Sequence, residues 1–226
     1  MKPNERTQMH FATRLCFSLS PFAAVLILAL ALDAATVNQT LLRATSPFED
    51  LVEFALITNT ASMNKALAAV DNSAAAVKAV LPAPAAIKFA SLVQGIHHSA
   101  ADNKLHAVAE KAVEVFRLLI DNLQSEGLRE PLEVSLLDYA GFKLQVLATS
   151  EQPDWTAMRK TVVDAAAWWS VTKAKVSDKG LRDAFNSTVR GLETASNTEN
   201  LPLLHFAARM DLDLVDLLEA HFRRKR

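Results

Sequence analysis

Two carboxylates carry the sharpest chemical signal in this sequence. Asp138 lies in a segment opened by Pro131, in which Leu132, Val134, Leu136, Leu137, Tyr139, Ala140, Phe142, Leu144, Val146 and Leu147 cover nearly the whole helical circumference. A helix that is apolar all round is a buried helix. Asp138, Gln145 and Thr149 fall within about 40° of one another on it, at spacing i, i+7, i+11, and form a thin polar seam. Glu53, Thr60 and Asn64 show the same spacing 85 residues earlier, in an apolar helix expected to start at Pro47.

A buried carboxylate has to be paired, hydrogen-bonded, protonated or metal-bound. Two of them on facing helices repel unless a cation or a shared proton lies between them. Glu53 and Asp138 are therefore candidate ligands for a cation, a divalent metal included, and Thr60, Tyr139 and Gln145 join them as candidates for holding a small molecule. Ferritin-type diiron bundles hold metal with carboxylates on facing helices, but the Glu-x-x-His pair they use is absent here. The plainer alternative is that both acids face solvent or pair with Lys and Arg across a loop.

Other reactive side chains give weaker signals. His97 and His98 are adjacent, so they point about 100° apart and cannot share one ion from a regular helix. His106 and His205 sit on polar faces. Asp211 lies on an apolar arc with Ala207, Ala208, Leu214, Val215 and Leu218, which makes it a second candidate buried acid. Trp155, Trp168 and Trp169 read as core, or as the aromatic wall of a ligand cavity. No Gly-x-Ser-x-Gly, His-Glu-x-x-His or P-loop pattern is present, so nucleophilic catalysis has no local support.

The elements that must position these residues are all helical. No run alternates with period two, and glycine is scarce. About seven helices are expected, punctuated by Pro82, Gly127, Pro131, Pro153 and Pro202. Ser46-Pro47-Phe48-Glu49 reads as a capping box with proline at the first helical position, which makes residues 32–45 a linker and 46–226 one domain. Internal matches at spacings of 85, 96 and 99 residues pair Val52–Ala55 with Leu137–Ala140, Phe89 with Phe185, and His106 with His205. They predict a duplication with halves 46–127 and 131–222 about a pseudo-twofold axis.

Composition narrows the class. The 226 residues are 50% hydrophobic, carry a net charge of -1 and include one cysteine. Neutral charge gives no field for nucleic acid, and one thiol excludes cysteine-only zinc and iron–sulfur sites. Residues 1–14 carry Lys2, Arg6 and Arg14 against Glu5, and an apolar run follows from Leu15 to Leu32. That is the pattern of a secretory signal peptide spanning residues 1–31, or of an N-terminal membrane anchor if it is not cleaved. Both readings place the rest outside the cytoplasm, and the thiol-free, alanine-rich remainder suits a bacterial periplasm. Asn38-Gln39-Thr40 and Asn186-Ser187-Thr188 fit glycosylation acceptors in a eukaryotic route. The basic tail from Arg223 to Arg226 complements a helix C-terminus. The leading expectation is an exported, non-enzymatic binding or accessory protein that holds a cation or small ligand between its halves. A purely structural or protein-interaction bundle is the alternative, and a carboxylate-bridged metalloenzyme comes third.

Overall fold

Eight helices account for most of residues 33–224, the part of the chain that the computed structural model describes, and there is no strand among the described residues. They are α1 (Ala34–Leu56), α2 (Thr60–Val80), α3 (Ala83–Ala101), α4 (Leu105–Asp121), α5 (Leu132–Ala148), α6 (Trp155–Thr172), α7 (Lys179–Asn197) and α8 (Leu201–Arg224). A single 3-10 turn, Lys173–Lys175, follows α6. The protein is an all-α helical bundle.

The first helix corrects the sequence reading. It starts at Ala34, so residues 34–45 are helix and not linker, and Pro47 lies inside it. Val37, Leu41, Ala44, Phe48, Leu51, Val52 and Ala55 are all buried, and their spacing of three or four residues makes one continuous stripe. An interior proline costs about 3 kcal/mol. Burying Val37 and Leu41 returns roughly 1.5–3 kcal/mol each, so the extended helix wins.

The same helix also ends earlier than expected. Thr58 adopts a left-handed backbone with φ of 56°, and Asn59 caps α2 by accepting a hydrogen bond from the Ser62 N–H at 3.1 Å. Thr60 and Asn64 therefore belong to α2, away from Glu53. Later starts are capped in the ordinary way: Asp154 Oδ1 accepts from the Ala157 N–H at 2.9 Å, Asp178 Oδ1 from Leu181 at 3.0 Å, and Asn200 Oδ1 from Leu203 at 3.0 Å.

The helices form two sets of four. In the first, α1 packs on α4 and α2, α3 packs on α4, and α2 meets α3 more thinly. In the second, α5 packs on α8 and α6, α7 packs on α8, and α6 meets α7. The sets join mainly through α4 against α5, with a smaller contact between α1 and α5. Antiparallel rings of four consecutive helices generally share this order of neighbours, so it leaves the expected duplication an expectation. The apolar run Leu15–Leu32 lies outside the described residues. Among the described residues, no helix is long and apolar enough to cross a membrane.

Candidate functional site

A cavity of about 740 Å3 opens where the two sets meet. The N-terminal turns of α1 form one wall, the α4–α5 loop the rim, α5 the floor and the last turns of α8 the far side. Asn38 holds this geometry. It is buried, its Nδ2 donates to the carbonyls of Gln124 (2.7 Å) and Glu126 (3.0 Å), and its Oδ1 accepts from the Gln124 N–H at 2.7 Å. Gly127 completes the rim with φ of +81°, a backbone that favours glycine. A Cβ there would come within 3.3 Å of the Ala35 backbone.

Four carboxylates line the cavity: Glu49, Glu130, Asp138 and Glu219. Asp138 is half-buried as a residue, its exposed part facing the cavity. The surrounding protein closely encloses its carboxyl at the cavity lining. That enclosure is the first cause holding Asp138 well above the usual carboxylate range; the charges of Glu49, Glu219, Asp211 and Asp216 add to it. Burial likewise pushes Glu49 up to about 7. Burial pushes Glu130 up to about 7 as well, and its Oε2 is buried with no hydrogen-bond partner. Glu219 is raised by burial in spite of Arg223, whose Nη2 donates to Glu219 Oε2 at 2.9 Å. Arg43 and Arg129 complete the lining from exposed positions.

Of the site residues expected from sequence, Asp138 alone lines this cavity. Glu53 is exposed and makes a long 3.8 Å contact with Arg209. The α1 residues that line the cavity run from Ala35 to Glu49, so Glu49 and not Glu53 couples to Asp138. Thr60 is exposed at the start of α2. Tyr139 faces another way: the Arg117 guanidinium sits 5.1 Å over its ring and 5.5 Å over Trp168, and the two rings meet edge to face. Gln145 is half-buried on α5, outside the cavity lining. The expected metal pair is not assembled, and among the described residues no group of three or more His, Cys, Asp or Glu side chains could hold a metal ion.

No family model, curated protein or solved structure matches this chain.

The remaining sequence candidates find structural roles. Trp169 stacks on Phe185 at 4.4 Å, and its Nε1 donates to Asn186 Oδ1 at 2.8 Å. Asn38 is buried with its Nδ2 donating to two backbone carbonyls, which commits within the fold the nitrogen that glycosylation would need. His97 pairs with Asp71 at 2.8 Å, His98 with Asp102 at 3.6 Å and His106 with Glu110 at 3.4 Å. Asp211 is fully buried, and both its oxygens lack a partner. Gly141 makes room for it, since a Cβ there would lie 2.5 Å from Leu212 Cδ2 and 3.0 Å from Asp211 Oδ2.

Sequence reasoning missed Glu49, Glu130 and Glu219. A signal for the first was present: Asn38, Thr45 and Glu49 follow the same i, i+7, i+11 spacing as the seam on α5, and all three line the cavity. Starting the helix at Pro47 concealed it.

Proposed function

We infer that this is an exported, non-enzymatic binding protein that takes a small polar molecule into the cavity between its two sets of helices. The observation that carries the reading is the Asp138 carboxyl. It lines the cavity, is closely enclosed, and has no hydrogen bond or ion pair among the described residues. A buried acid without a partner costs stability, and a pre-formed concave site with a few convergent polar groups is what small-molecule recognition uses. The cavity volume falls in the range of such sites, about 300–1,000 Å3. Export rests on the basic start and the apolar run Leu15–Leu32; a reporter active only outside the cytoplasm, fused after residue 45, reads it out.

Thermal melts against a panel of small polar compounds and divalent metals test the binding. Asp138→Asn should melt at or above the wild-type temperature in the empty state, because it removes an enclosed, unpartnered acid whose ionisation burial and Glu49 oppose. Compounds that stabilise the wild type by several degrees should lose their effect on it. A variant that melts like the wild type under every condition would show a carboxyl with no part in the site.

A further inference from the structure

We propose that the cavity selects a small organic ammonium ion and takes it up in exchange for a proton carried by the Glu49 and Asp138 carboxyls that line it. The inference rests on the cavity being a binding site and adds the ligand's chemical class and its linkage to pH.

The class follows from size and charge. The space is far larger than a metal ion needs, and its carboxylates do not converge into a coordination group among the described residues. Acids from three helices turn toward one another: Glu49 on α1, Asp138 on α5 and Glu219 on α8. Arg223 is engaged with Glu219, Arg43 and Arg129 stand at exposed positions on the lining, and Asp138 and the buried Glu130 Oε2 have no donor among the described residues. An ammonium group supplies both missing parts, N–H donors and positive charge.

The exchange follows from crowding. Two enclosed carboxyls that act on each other do not both ionise readily, so the pair titrates as a unit and the empty cavity retains a proton. Most groups facing the pair are acidic: Asp50 on α1, Asp211, Asp216 and Glu219 on α8, and Glu130 in the loop, while the opposing cations are Arg223 on α8 and, at exposed positions on the lining, Arg43 on α1 and Arg129 in the loop. When R–NH3+ enters, it donates hydrogen bonds to the two carboxylates, and that proton leaves to solvent. No covalent bond changes. Affinity should rise with pH by up to about tenfold per unit while the empty pair still holds its proton, and level off once the pair has lost it.

Calorimetry of the full chain with n-butylamine and 1,4-diaminobutane tests this, with butyrate and n-butanol as anionic and neutral controls of similar size. The backbone amide shifts of Asn38, Gly127 and Ser135 report where each probe sits. The expected result is amine binding at those amides with about one proton released, read from the heat difference between phosphate and MOPS buffers, neither of which contains a primary ammonium. Glu49→Gln should bind amines but lose the proton release and the pH slope. Asp138→Asn should bind them at least tenfold more weakly. Amine binding without proton release overturns the exchange. Binding of butyrate or n-butanol in place of the amines overturns the ammonium class and leaves the site reading standing. If no probe of any charge moves those amides, the site reading itself falls.

Discussion

The α1–α4 seam and the α5–α8 seam are the most extensive contacts in their respective sets of four helices, yet they are built from different material. The first is dry. Leu41, Phe48 and Leu51 on α1 and Ala112, Val115 and Leu119 on α4 are buried in one apolar cluster. The second encloses a fully buried acid, Asp211, against Gly141. In the internal spacings of 85 and 99 residues, Gly141 and Asp211 stand where the first set has Leu56 and Ala112. At those spacings the second set has less side-chain volume on α5 and more on α8, a carboxyl included, than the first has on α1 and α4. That carboxyl acts on Asp138 at the cavity. A large polar cost is thus placed in one seam, beside a cavity where a ligand could offset it, while the dry seam carries stability.

The largest expected effect is on the dry seam. Phe48→Ala should lose about 3–5 kcal/mol in urea unfolding, the usual cost of truncating a fully buried aromatic. A loss below about 1 kcal/mol would show that the first set does not anchor the fold.

The acidic seam should respond in the opposite direction. Asp211→Ala places in the second set the residue that the first set has, and should gain about 1–2 kcal/mol at pH 8 by removing an unpartnered buried acid. The gain should shrink at pH 5. Burial raises Asp211, Asp138, Glu49 and Glu130 in the folded state. Between about 4.5 and about 7, folded Glu49 and Glu130 hold protons that the unfolded chain has released. Wild-type stability therefore falls as pH rises through that window, and melts at pH 5 and 8 read the slope. Destabilisation by Asp211→Ala at both pH values would mean that the carboxyl supports its seam.

The smallest effect is expected at Glu53. Its contact with Arg209 is long and exposed, so Glu53→Gln should change stability by no more than about 0.5 kcal/mol. A loss above about 1 kcal/mol would return Glu53 to the interior and erase the contrast between the two acids.

Much of this molecule was legible residue by residue. Side chains repeating every three or four positions mark helices and their buried faces, because helical period is a local property. Asp138 and Asp211 stood out for the same reason: each interrupts an apolar surface that has no other route to water. The start of α1 was not legible. Pro47 obeys a local rule for a helix start, and only burial against α4 and α5 outweighs it. Nor could the sequence say which acid meets Asp138. Period fixes where a side chain points around its own helix, but the level at which α1 passes α5 is set by packing between helices and by the loop that Asn38 ties down. That offset brings Glu49, Glu130 and Glu219 to Asp138 and leaves Glu53 on the surface, and only the tertiary structure decides it.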